Sequence, residues 1–234
     1  MKAIRVSACA AVFGLCLCIS LGQAQGPAYL AKDSVNLLIL LAPPPGPSDP
    51  RTIAELDELR QMRATGSAAR VALAKADVEE SVFRLMTVFD RPLTPAQLPR
   101  ATAFFQKLTV DGAVAISRAK AGFGRPRPYA LDKNLDPVCP LDSVANRSYP
   151  SGHTSVGYLM GITLATMVPE KREAIFARTQ EYAESRLYCG VHYRTDIEAG
   201  RIAGTVLAAV AMNNPDFQRG FAAARTELRA ALGY

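Results

Sequence analysis

Apolar residues recur along this chain at three- and four-residue steps, the spacing that gathers them on one face of a helix. Val71, Ala74, Val78, Val82 and Leu85 follow it within 66–88, and 51–64 reads as a helix before it. Thr94-Pro95 offers a capping hydroxyl and then a proline at the first helical position. A helix is therefore predicted to open there and run on through 99–121, with Phe104, Phe105, Leu108, Ala115 and Ile116 available to the core. The pattern then lapses. Residues 122–149 are rich in Gly, Pro, Asp and Asn and predict a long loop, a length that is often functional. Helices are predicted again at 154–167, 169–187, 193–212 and 214–232. The stretches 156–168 and 202–212 are apolar enough for buried core helices but short of the roughly 18–20 residues that span a membrane. Alternation of β-branched residues is nearly absent. The prediction is an all-α, single-domain helical bundle of roughly eight helices.

The first residues follow a different logic. Lys2 and Arg5 precede an apolar run over 6–21, and small residues follow at Gly22-Gln23-Ala24. This is the layout of a signal peptide over 1–24, leaving a domain over 25–234. The run is short for a span and meets a cleavage-type site at once, so cleavage is expected rather than a membrane anchor. The protein is then periplasmic or secreted, with no stable membrane insertion. The leader removes Lys2 and Arg5, which lowers the formal charge of +6 by two. What remains is too small and dispersed for a nucleic-acid partner, and no nucleic-acid motif appears. Three of the five cysteines also lie in the leader. Cys139 and Cys189 are left as a candidate disulfide, since an even pair in an exported protein favours a bridge. The prolines of 42–50 predict a rigid extended segment. Residues 37–41 are apolar enough to suggest packing between subunits of a homo-oligomer.

Three short motifs carry candidate chemistry. In Lys120-Ala-Gly-Phe-Gly-Arg-Pro-Arg127-Pro128, a lysine near a helix end is followed by Arg125 and Arg127 on a proline-stiffened segment; alone this reads equally as a solvated basic turn. In Pro150-Ser151-Gly152-His153-Thr154, a glycine and a hydroxyl open an apolar helix, whose first N–H groups form an anion site. Ser151 reads equally as a cap and His153 as a surface residue. In 185–196, Arg186 precedes His192 and Asp196, which are four apart and would share a helical face. A carboxylate there can hold one imidazole nitrogen and leave the other free.

Taken in order, K-x6-RP, PSGH and SR-x5-H-x3-D resemble the signature of the type 2 phosphatidic acid phosphatase superfamily at every defined position. The stretches SYPSGHT at 148–154, SRLYCGVHYRTDIEAGRIAG at 185–204 and LAPPPGPSD at 41–49 are similar to bacterial class A non-specific acid phosphatases. Departures are small: Phe123 stands where Tyr is common, and Tyr129 where Phe is common. The resemblance implies a broad-specificity acid phosphatase acting on small phosphomonoesters, with phosphotransfer to alcohols as a side activity. It implies that Lys120, Arg127, Ser151, Gly152 and Arg186 bind phosphate and that His192 attacks phosphorus. Asp196 would orient His192, and His153 would protonate the leaving group and then activate water. His192 must then start neutral and His153 charged, which predicts a bell-shaped pH profile centred on the acid side of neutral. No metal or other cofactor is expected, since no His/Cys/Asp cluster has metal spacing. Two rivals share the motifs. A vanadium-dependent haloperoxidase is usually much longer, and a membrane lipid phosphatase needs spanning helices. A non-catalytic phosphate-binding protein would not call for two histidines in these positions.

Overall fold

The computed structural model describes residues 28–141 and 147–234. The expected leader, 1–24, lies outside the described residues. Among those residues there are nine α-helices, two of them single turns, three short 3-10 turns and no strand. The all-α expectation holds.

The helices are α1 (Leu37–Leu40), α2 (Pro50–Thr65), α3 (Ala68–Ala76), α4 (Pro99–Phe123), α5 (Pro128–Leu131), α6 (Gly152–Met167), α7 (Arg172–Tyr188), α8 (Arg194–Met212) and α9 (Pro215–Leu232). The central element is α6, buried on almost every side, as its unbroken apolar sequence requires. It packs against α8 most extensively and against α7 and α4, while α9 lies on α4. The α6–α8 approach is very close: a Cβ at Gly204 would stand 2.3 Å from the carbonyl oxygen of Ser155. On the far side of α7 sit α2 and α3.

Several boundaries differ from the periodicity, each for a local reason. The pattern over 66–88 is not one helix. It ends at Asp77, whose buried carboxylate takes Arg178 of α7, Arg84 and the Ser185 hydroxyl, and two 3-10 turns follow at Val82–Arg84 and Met86–Val88. Arg178, distant in sequence, thus holds the chain where its helix ends. The helix predicted from Thr94 starts at Pro99 instead. A second proline forces Leu98 off the helical region (φ −129°, ψ 57°), so Thr94–Gln97 forms its own turn. The first amides of α4, at Arg100 and Ala101, are capped by the Glu227 carboxylate of α9. The long loop holds one helical turn, α5, and a disulfide joins Cys139 to Cys189 at the end of α7. The apolar segment 37–41 is partly consumed within the protomer: Leu37 and Leu41 are buried, while Ile39 and Leu40 stay exposed.

Candidate active site

The ends of α4, α6, α7 and α8 converge on one cavity of 260 Å³. Lys120, Arg127, Gly152, His153, Arg186 and His192 line it, with Glu80 at its edge. All the sequence-predicted site residues except Ser151 and Asp196 are therefore in its wall, and those two stand directly behind it.

Each cation is placed by its own element. Lys120 is in the last turn of α4, and its Nζ donates to the carbonyls of Arg147 (2.6 Å) and Pro150 (3.1 Å). It can come this near because residue 152 is glycine: a Cβ there would lie 3.3 Å from Lys120 Cε. Arg127 follows the left-handed Gly124 that ends α4, and its Nη1 donates to the carbonyl of Val191 at 2.8 Å. Arg186 is in the last turn of α7, beside Cys189. Three positive charges against one carboxylate give the cavity a strong preference for an anion.

His192 is not on a helix face with Asp196, as the four-residue spacing suggested. It lies one residue before the N-cap of α8, and Asp196 is in the first turn, reaching back to accept the Tyr193 N–H at 3.0 Å. The pair is made nonetheless: His192 Nδ1 is 3.1 Å from Asp196 Oδ2. The ring's other nitrogen, Nε2, is 3.0 Å from Arg127 Nη1. A guanidinium has only donors, so Nε2 is the acceptor and the ring proton sits on Nδ1, toward Asp196. Burial, then Arg127, Lys120 and Arg186, hold the His192 pKa well below the usual imidazole value. At neutral pH it is an uncharged ring with its lone pair facing the cations.

His153 is buried at the start of α6, stacked on Tyr182 with ring centroids 4.2 Å apart. Its Nδ1 is 3.3 Å from Glu80 Oε1, and its Nε2 has no hydrogen-bond partner among the described residues. Burial lowers its pKa and Glu80 opposes that. The protein's own field therefore does not supply the starting charge on His153 that a proton donor needs.

Ser151 takes the capping role. Its Oγ accepts the Thr154 N–H at 3.3 Å and its own N–H goes to the Asp196 carbonyl at 3.0 Å, tying the start of α6 to the first turn of α8. That leaves the first amides of α6, at Gly152 and His153, directed toward the cavity end of the helix.

Residues that sequence reasoning missed stand behind these. Arg125 is not a solvated basic residue. It is buried, donating to Asp196 Oδ1 (2.6 Å), Thr195 Oγ1 (2.7 Å) and Glu55 Oε2 (2.9 Å), with its guanidinium 3.9 Å above the Tyr193 ring. Ser148 donates to Asp196 Oδ2 at 2.5 Å. Both carboxylate oxygens of Asp196 are thus engaged, which fixes its orientation toward His192. The RPR run could have flagged Arg125, but nothing in the sequence separates it from Arg127. Glu55, Asp77 and Glu80 belong to no motif.

Among the described residues, no group of three or more His, Cys, Asp or Glu could hold a metal ion, and no helix is long and apolar enough to cross a membrane.

Comparison with known proteins gives the family. The PAP2 superfamily model matches residues 102–219, which include all three motifs. A non-specific acid phosphatase of Salmonella typhimurium is 32% identical over 210 residues, 86% of this chain and 84% of that protein. An acid phosphatase of Zymomonas mobilis is 30% identical over 83% of this chain and 76% of its own length. Among solved structures, a bacterial vanadium-dependent iodoperoxidase shares the fold, with a TM-score of 0.56 and 20% identity over 74% of this chain; the chain spans about half of its length. With a family model over half the chain and relatives aligned along most of it, the chain belongs to the PAP2 superfamily and, within it, to the non-specific acid phosphatases.

Proposed function

We propose that this protein is an exported acid phosphatase that hydrolyses small phosphomonoesters through a phosphohistidine, without a metal ion. The observation that carries the reading is the His192 ring: neutral, with Nδ1–H toward Asp196 and Nε2 toward the cations.

A phosphoryl dianion suits the cavity's charge. Arg127 and Arg186 bind its oxygens in forked pairs, Lys120 adds a third charge, and the Gly152 N–H adds a helix-end donor. Charge spread over the equatorial oxygens of the transition state meets these groups already in place. His192 Nε2 forms a bond to phosphorus as the bond to the leaving oxygen breaks. The electron pair leaves on that oxygen, which takes a proton from His153. Water then attacks phosphorus, gives a proton to His153, and the P–N bond breaks. Asp196 stabilises the charged His192 formed midway.

The charge on His153 comes with the substrate. A phosphoryl group beside the ring adds negative charge and raises its pKa. At acid pH the monoester also carries its own proton, since its second ionisation lies near 6. This supports an acid optimum. Among the described residues a divalent ion has no carboxylate cluster to bind, and in the cavity it would face three cations, which supports metal independence.

The test is His192→Ala. The variant is expected to lose at least about 10³-fold in kcat, while wild-type protein quenched in alkali during turnover of labelled substrate carries phosphate on His192. Full activity in the variant, or complete loss of wild-type activity in EDTA with recovery on adding a divalent metal, would overturn the mechanism.

A further inference from the structure

Each active-site histidine has a carboxylate at its Nδ1. For His192 it is the buried Asp196, four residues on. For His153 it is Glu80, which belongs to no motif and stands on the turn after α3, with Oε1 3.3 Å from the ring nitrogen. The Glu80 carboxyl is held below its usual pKa, first by that hydrogen bond and then, against burial, by Arg186 and Lys120. An ionised carboxylate only accepts, so the proton of the neutral His153 ring sits on Nδ1. Tyr182 agrees with this tautomer. Its hydroxyl donates to the Glu79 carbonyl at 3.1 Å, which leaves its oxygen to accept, 3.5 Å from the same Nδ1. The Tyr182 ring also stacks on the imidazole at 4.2 Å between centroids. One side chain therefore holds both His153 and the chain segment that carries Glu80.

We propose that Glu80 is the positioning residue of the proton donor: it holds His153 in the tautomer that presents Nε2 to the leaving oxygen, and it steadies the ring while the ring carries positive charge. The proposal rests on the phosphatase reading above and adds a residue to it. With Nδ1 committed to Glu80, Nε2 is the nitrogen left to exchange protons, and it has no hydrogen-bond partner among the described residues. The charged ring gives its Nε2 proton to the leaving oxygen as the P–O bond breaks and the electron pair passes to that oxygen. In the second half the Nε2 lone pair takes a proton from the attacking water, and Nδ1–H stays toward Glu80 throughout. The surroundings of His153 divide. Burial disfavours its charged form most, Glu80 favours it, Arg186 of α7 opposes it and Asp77 at the end of α3 favours it. Lys120 of α4 and His192 ahead of α8 line the same cavity. Among these groups Glu80 is the anion in contact with the ring.

Glu80→Gln keeps an oxygen that can accept from Nδ1 and removes the charge. Two esters are compared by kcat/KM: 4-nitrophenyl phosphate, whose phenolate leaves without a proton, and propyl phosphate, whose alkoxide needs one. The Glu80 side chain is 41% exposed against 0% for Asp196, so water screens its charge and the effect is moderate. At neutral pH the propyl-to-nitrophenyl ratio should fall about threefold or more in Glu80→Gln. The alkaline limb of the propyl phosphate profile should move to lower pH, since the charged ring loses its counter-ion. The ester's own ionisation is common to both proteins and cancels, and a general loss of structure lowers both esters alike. Glu79→Gln removes an equal charge from an exposed position one residue away and should leave the ratio unchanged. A ratio or an alkaline limb unmoved in Glu80→Gln, or a ratio moved as far in Glu79→Gln, overturns the role of Glu80 and leaves the phosphatase reading intact. No turnover of either ester by the wild type removes both.

Discussion

Replacing Arg125 by methionine isolates the frame behind the histidine. The guanidinium and its two carboxylate partners are almost wholly buried: side-chain exposure is 3% for Arg125, 6% for Glu55 and 0% for Asp196. Methionine fills much of the volume, so the loss is electrostatic rather than a cavity. It strands two buried carboxylates, and breaking one side of a buried ion pair costs about 3–5 kcal/mol. That is a large share of the roughly 5–15 kcal/mol that holds a domain together. With a urea dependence of about 3 kcal/mol per molar for a chain of this size, the unfolding midpoint should fall by about 1–1.7 M, followed by circular dichroism on the oxidised protein. A second substitution sharpens the case. Glu55→Gln destabilises the wild type but removes one of the stranded charges in the Arg125→Met background, so the two should couple by about 1–3 kcal/mol. Arg125→Lys should rescue little, since a single ammonium cannot fork between Glu55 and Asp196. A midpoint lowered by less than about 0.3 M, or strictly additive losses in the double variant, would refute the argument that Arg125 neutralises both carboxylates.

Two further outcomes are expected. His192 and His153 both have folded pKa values below the unfolded value of 6.5, so the unfolded chain binds more protons just below that pH. Stability should therefore fall as pH drops below 6.5, by up to about 1.4 kcal/mol per pH unit for each ring, and His192→Gln should remove one ring's share of the slope; equal slopes in the two proteins would contradict it. The Cys139–Cys189 bridge closes a loop across 50 positions, for which chain entropy gives about 4 kcal/mol. The double Cys→Ala variant should lose an amount of that order in urea unfolding, and an unchanged midpoint would show that the loop is held by its other contacts.

Much of the site was legible because its chemistry is local. Lys120, Gly152, His153, Arg186 and His192 fall at helix ends that caps and glycines announce, and the fold brings those ends together. The helix pattern also identified α6, α8 and α9, where one apolar face or an unbroken apolar run dominates. Two kinds of feature were hidden. Where a buried carboxylate captures a distant cation, as at Asp77, the chain breaks a helix that periodicity continues. Where a proline overrides a preceding cap, as at Pro99, the start moves. The pairing of His192 with Asp196 is legible in the spacing and its geometry is not: the Asp196 carboxylate reaching back past the start of α8, rather than a shared helical face, brings them together.

Apart from Asp196, the carboxylates that hold the site from behind come from the first part of the chain. Glu55 anchors Arg125, Asp77 anchors Ser185 and Arg178, and Glu80 meets His153. The family model begins at residue 102. A fragment cut to the matched region would therefore carry every motif residue yet leave Arg125 and Arg178 without these counter-charges and His153 without its acid. The stretch by which the protein is recognised is smaller than the unit that can act, and α2 and α3 belong to the active site as surely as the helices that bear its histidines.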